Sequence, residues 1–304
     1  GDDCAAKPRS QGGDQSGQIS RRKHNRRAGE RGFLQETGRK KLTGYVRTIA
    51  ANVRADRLLE DGGVMASSSR AGVPAFDAPE LSELKRKLVT ACHILDREGI
   101  TDGYGHVSAR VPDTAAFLTI ANVSPGCASL ERLIMMDFDG NHLGGAETPP
   151  NEWPIHACVL RARPDVTSVC HTHSVWSTLF SVLPIKLRPL HHYGKFLQAD
   201  GPPVYEAAGL VRTVERGDAL AAALADGPVV LMRAHGDTVV GASIEQAVQR
   251  TVRLARLGEL AHLALLHGEP RYLSAEELET FSADERFPAR GWEYFVSRLG
   301  NRQS

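Results

Sequence analysis

Between Pro164 and Ser174 the chain reads Pro-Asp-Val-Thr-Ser-Val-Cys-His-Thr-His-Ser. A β-branched run behind a proline predicts a strand. Side chains alternate faces along a strand, so His171 and His173 project to one side about 7 Å apart. Two imidazoles on one face of a strand end can close on a single metal ion, which ties this strand to a site. A His-x-His pair is short and common, and by itself it reads more readily as two partly exposed strand-end histidines without a ligand. The rest of the chain has to decide between these readings.

Around this strand the hydrophobic period alternates. Leu81, Leu84, Leu88, Ala91, Cys92 and Leu95 fall on one face of a helix predicted to stop near Gly99. Strand-like runs follow at 104–111, 117–123 and 133–138, the last closed by an Asp139-Gly140 turn. Pro149-Pro150-Asn151-Glu152 opens a helix through Ala162, with Asn151 predicted as its N-cap and Pro154 tolerated in its first turn. After the His-x-His strand come residues 178–182 and a loop holding His191-His192-Tyr193-Gly194. Gly227-Pro228 precedes an apolar strand over 229–233, and Ala234-His235-Gly236-Asp237 predicts a turn into 238–241. Ser243-Ile244-Glu245-Gln246 is a capping box that starts a long helix ending at Gly268. Helices bracketing a mixed or antiparallel sheet make a single α/β domain, expected over 77–304. No internal repeat and no GxGxxG or phosphate-loop motif interrupts it.

What precedes residue 77 differs in kind. Residues 1–76 are rich in Gly, Ser, Gln and Arg, with only a weak helical pattern over 42–59, and are expected to be a disordered basic extension. Residues 1–64 hold 14 Lys/Arg and 8 Asp/Glu, a balance of +6, whereas 65–304 hold 23 and 28, a balance of −5. The run Arg21-Arg22-Lys23-His24-Asn25-Arg26-Arg27 has no aromatic residues interleaved, which favours a solvated tail over a nucleic-acid contact. Met65-Ala66-Ser67-Ser68-Ser69 looks like an ordinary protein start, so residues 1–64 are expected to be an extension upstream of it. No apolar run approaches the roughly 18 residues of a membrane span, and no secretory leader pattern is visible. Five cysteines, odd in number and irregularly spaced, suit free thiols in a reducing cytoplasm better than a disulfide framework. A cytoplasmic protein is therefore expected.

His235 sits at a turn before Gly236, where a glycine lets backbone approach closely. With His171 and His173 it offers three neutral nitrogen ligands, enough for a divalent transition metal that keeps an open position. Glu152 in the first turn of its helix is the natural fourth member, either as a carboxylate ligand or as a base. Read without the histidines, it would be an acid stabilised by a helix N-terminus.

The motifs Pro150-Asn151-Glu152-Trp153-Pro154-Ile155-His156, Pro164-Asp165-Val166, His171-Thr172-His173 and His235-Gly236, in that order, resemble the class II aldolase/adducin family over about residues 80–270. The resemblance implies a three-layer α/β/α domain with a central, mainly antiparallel sheet, assembled as a tetramer with shared active sites. It implies one divalent ion (Zn, Mn, Fe or Co) held by His171, His173, His235 and Glu152. It also implies a tyrosine proton donor from the neighbouring subunit, in a loop about 20 residues beyond the second histidine, where Tyr193 stands.

The departures from the family pattern narrow the chemistry. Where sugar-phosphate members carry Gly-Asn-x-Ser, a Thr-Gly turn and Ser-Ser-Glu to hold phosphate, this chain has Gly105-His106-Val107-Ser108, Ser124-Pro125-Gly126 and Pro150-Asn151-Glu152. Pro150 has no backbone donor and no hydroxyl, so it cannot hydrogen-bond a phosphate oxygen. A non-phosphorylated substrate is expected, with His106, Ser108 and Asn151 as substrate-binding residues. Together with His191-His192-Tyr193-Gly194, these features are similar to the family's decarboxylase branch, which acts on hydroxylated aromatic or heteroaromatic carboxylates. The reading is a metal-dependent carbon–carbon lyase with Glu152, Tyr193 and His192 as catalytic residues. Alternatives are an aldolase or dehydratase on a small hydroxy-carbonyl compound, an aromatic-acid oxygenase of the same fold, or a non-catalytic adducin-like interaction protein. Retention of the four metal-type residues argues against the last.

Overall fold

Short runs of alternating apolar residues build a sheet that is covered on both faces. In the computed structural model, which describes residues 72–282 and 289–300, eight strands form one sheet in the order β4-β3-β2-β1-β5-β8-β7-β6. They are β1 (His106–Arg110), β2 (Ala116–Ile120), β3 (Leu133–Asp137), β4 (His142–Gly144), β5 (Ser168–Thr172), β6 (Val204–Tyr205), β7 (Val229–Met232) and β8 (Gly236–Gly241). All pairings are antiparallel except that of β6 with β7. The helices are α1 (Ser82–Arg97), α2 (Trp153–Ala162), α3 (Val175–Val182), α4 (Val214–Leu224), α5 (Ile244–Leu265), α6 (Ala275–Ser282) and α7 (Ala289–Ser297).

Strand alternation divides the core in two. Val107, Leu118, Leu133, Cys170, Leu231 and Val239 face α1 and α5, which contribute Leu88, Leu95, Val248 and Leu257. Their neighbours Phe117, Ile134, Val169, Val230 and Val240 face α2 and α4, which contribute Ile155, Val159, Leu220 and Leu224. The result is the expected three-layer α/β/α domain. Because both faces are covered, β2 and β3 are buried at every residue, and each reads as a near-continuous apolar run.

Several local expectations are met and others are corrected. Ser243 caps α5 by accepting from Gln246 N, and Gln246 Oε1 reaches back to Ala242 N. The N-cap of α2 is Glu152 rather than Asn151, because Trp153 N closes a turn on the Pro150 carbonyl and Ile155 N bonds the Glu152 carbonyl. Residues 178–182 belong to α3, which starts at Val175. The edge strands β4 and β6, of three and two residues, are too short to show a period. Gly236 and Asp237 already pair in β8, so the turn is Arg233-Ala234-His235, with Ala234 at φ 57°. Of the expected extension, residues 1–71 lie outside the described residues. Phe76 packs on the core next to Gly144, with the Lys85 ammonium 3.4 Å from its ring centroid. Among the described residues, no helix is long and apolar enough to cross a membrane, and Cys92, Cys127, Cys158 and Cys170 are free thiols.

Candidate metal centre and active site

The site lies where β1, β5 and β8 end together. Register sets His106 opposite His171, and Thr172 opposite Asp237, which follows the His235 turn by two residues. Gly236 allows this crossing: a Cβ there would run into the Thr172 carbonyl oxygen. Gly105 has a related role at φ +103°, where a Cβ would stand 2.8 Å from the His171 carbonyl oxygen.

Glu152, His171, His173 and His235 converge, each offering one ligand atom within 4.8 Å of the others. His171 Nδ1 donates to the Asp237 carbonyl at 2.8 Å, which sets its tautomer and turns the Nε2 lone pair into the cluster. There it lies 3.2 Å from His173 Nε2 and 3.7 Å from Glu152 Oε2. His235 Nε2 is 3.5 Å from the same oxygen, and both ring nitrogens of His235 are buried without a hydrogen-bond partner. Lone pairs and a carboxylate gathered in a buried place repel one another unless a cation sits among them. The donor set, three nitrogens and one oxygen, suits a divalent transition ion, so the residues fit the metal that the family resemblance implies.

Electrostatics prepare these groups as ligands. Burial holds His171 well below the ordinary imidazole range, and burial with the His235 ring lowers His173, so both stay neutral. Burial alone would raise the Glu152 carboxyl, but the His235 and His171 rings and the Val211 N–H, 2.7 Å from Oε1, bring it to about 2. Asp237 is pushed up to about 6 by burial, against hydrogen bonds from Thr172 and Ser177. It braces the strand end behind the cluster.

Beside the cluster, a cavity of about 840 Å³ is lined by His106, His173, Glu152 and Asn151, together with Tyr104, Ser124 and Arg212. The volume is within the range of small-molecule sites. Tyr104 is 70 % exposed and its ring stacks on that of His173 at 6.0 Å, giving the cavity an aromatic wall. His106 is fixed from behind: its Nδ1 lies 2.6 Å from His156 Nε2, and His156 Nδ1 lies 2.6 Å from Ser108 Oγ. One N–H lies between the two rings, so the tautomers of His106 and His156 are coupled.

The predicted residues therefore fall into two groups. Glu152, His171, His173, His235, His106 and Asn151 meet at one site. Ser108 is fully buried and is occupied by His156 rather than facing the cavity. Tyr193 lines a different cavity of about 670 Å³, with Trp176, Glu98 and Leu263, and His192 is exposed beside it with its ring 4.8 Å from that of Tyr193. Sequence reasoning missed Tyr104, His156, Arg212 and Asp237 as parts of the site. Only His156 carried a signal, as the last residue of the Pro150–His156 motif.

With this geometry in view, the chain can be compared with known proteins. The family model described as "Class II Aldolase and Adducin N-terminal domain" matches residues 86–262. The chain belongs to this family. It is 34 % identical over 236 residues to the 3,4-dihydroxyphthalate decarboxylase of Terrabacter sp. (strain DBF63), a match covering 71 % of this chain and 97 % of that one. It is 32 % identical over 192 residues to the 3,4-dihydroxyphthalate decarboxylase of Arthrobacter keyseri, covering 58 % and 77 %. Among solved structures, an L-fuculose 1-phosphate aldolase shares the fold, with a TM-score of 0.62 at 23 % identity over 68 % of this family member and 97 % of that chain.

Proposed function

We propose that this chain is a metal-dependent lyase that decarboxylates a non-phosphorylated, hydroxylated aromatic carboxylate. The observation that carries the reading is the cluster of Glu152, His171, His173 and His235, with both His235 ring nitrogens unpartnered, opening onto a cavity with an aromatic wall. The 3,4-dihydroxyphthalate decarboxylases among its relatives support the reaction type. A divalent ion bound there supplies a Lewis acid for a substrate oxygen. Tyr104 and the cavity wall orient the ring, and neutral His106 contacts the acid through Nε2. In the reaction the ring–carboxylate bond breaks, CO2 leaves, and the electron pair stays on the ring carbon and spreads onto the hydroxyl oxygen. One proton then replaces the carboxylate on that carbon.

We assign that proton to Tyr193 of a neighbouring protomer, with His192 beside it. Within its own chain Tyr193 lines a different cavity from the cluster. This assignment makes the enzyme a closed cyclic oligomer, a tetramer by family resemblance. Residues 1–64 have no part in the reaction on this reading, and the catalytic domain is the region from 77 onward.

The test is CO2 release from a panel of hydroxybenzoates and hydroxylated phthalates, with and without oxygen, by wild type and His173→Ala. Release without oxygen, lost together with about one equivalent of bound divalent metal in the variant, is the expected result. Strict oxygen dependence would replace the reading with an oxygenase. Full metal occupancy in His173→Ala would overturn the metal assignment.

A further inference from the structure

The cavity beside the cluster contains a cation that neither the metal nor the decarboxylation step uses. Of the residues lining it, Asp102 and Glu152 are acidic and Arg212 alone is Lys or Arg. Arg212 lies in the segment between β6 and α4, two residues before the helix begins. That segment is pinned from three directions. The Arg216 guanidinium donates to the Leu210 carbonyl at 2.7 Å and to the Ala208 carbonyl at 3.0 Å. The Val211 side chain is fully buried in the core under α2 and α4. The Val211 N–H donates to Glu152 Oε1 at 2.7 Å.

The backbone of Arg212, the residue immediately after this anchor, is therefore held beside Glu152, and its side chain is exposed at the cavity rim. Among the described residues Arg212 makes no hydrogen bond or ion pair, and neither Asp102 nor Glu152 is its partner. A guanidinium offers a planar fork matched to a carboxylate. Exposed at the rim and engaged by no other protein group, this fork is available to a ligand in the cavity.

Its ligand is not the carboxylate that leaves. That group loses its charge on the way to CO2, so an arginine paired with it would hold the ground state more tightly than the transition state and slow the step. We propose that Arg212 binds a second carboxylate, one that the reaction leaves in place, so that the substrate is a hydroxylated aromatic dicarboxylate anchored at the cluster and at Arg212. The inference rests on the decarboxylase reading for its chemistry, but the carboxylate subsite can be measured without turnover.

Two measurements on Arg212→Gln and Arg212→Lys test it. Calorimetry of the metal-loaded protein with phthalate and with benzoate reads the subsite directly. Arg212→Gln should weaken phthalate relative to benzoate about ten- to hundredfold, the loss expected for a charge-assisted bidentate pair, with partial recovery in Arg212→Lys. In turnover, the ratio of kcat/KM for a dihydroxyphthalate to that for a dihydroxybenzoate should fall by the same factor, mainly through KM. An unchanged ratio in both assays overturns the subsite, and CO2 release that continues regardless leaves the decarboxylase reading standing. A selective loss of phthalate binding, in a protein that releases CO2 from neither acid, supports the subsite and refutes the decarboxylase.

Discussion

At the scale of single residues, the most exacting demand falls on His156. It is completely buried, and a buried imidazole is costly unless both nitrogens are engaged. Ser108 and His106 take one each, and burial drives the His156 pKa from 6.5 down to about 3. The sign of the linkage follows. Between those two pH values the unfolded chain binds a proton at this residue and the folded chain does not, so folding stability falls as pH drops from about 6.5 toward 3. With about 1.4 kcal/mol for each tenfold change in proton affinity, His156 alone should remove about 2 kcal/mol between pH 7.5 and pH 5. Urea unfolding at the two pH values measures this, and in His156→Gln the wild-type slope should shrink by that amount. A slope equal in the two proteins would mean that His156 is not held neutral by the fold.

At the scale of elements, the site depends on how closely two strand ends approach. Gly236 opens β8 directly against the Thr172 carbonyl at the end of β5, and a methyl group has no room there. Gly236→Ala should therefore cost about 3 kcal/mol, the upper part of the range for overpacking, and should displace His235 from the cluster. Chemical denaturation with metal analysis checks both parts. A variant as stable as wild type and with full metal content would contradict the close approach. Elements also show where the sequence was readable. α1, α5 and the five- and four-residue strands carry several periods each and could be anticipated, and the capping box at Ser243 marked the start of α5 to the residue. β4 and β6 are shorter than one readable period, and they pair only because β3 and β7 present open edges. The cap of α2 moved from Asn151 to Glu152 because the Pro150 carbonyl captures Trp153 N, and the Glu152 side chain is drawn to Val211 and the histidines.

At the scale of the molecule, the proposed proton donor and the metal-type cluster occupy separate cavities of one chain. If neighbouring protomers complete each site, two lesions in different chains can complement. Co-expressed His171→Ala and Tyr193→Phe should recover part of the activity that each lacks alone, since some interfaces pair an intact cluster with an intact tyrosine. Hetero-oligomers as inactive as their parents would refute the shared site. The same scale separates what the sequence by itself determined from what it left open. The α/β class, the strand bearing His171 and His173, and a turn at His235 were written locally, in side-chain period and in residues that only certain backbones accept, while the three-layer arrangement was implied by the family resemblance. The connections that make the site were not. His156 meets His106 and Ser108 across 50 and 48 residues, and Val211 reaches Glu152 across 59. No local pattern encodes which strand ends meet or which loop is pinned behind them. Those contacts arise from the register of β1, β5 and β8 and from the packing of α2 against α4, and they turn scattered histidines and one unpaired arginine into a single cavity.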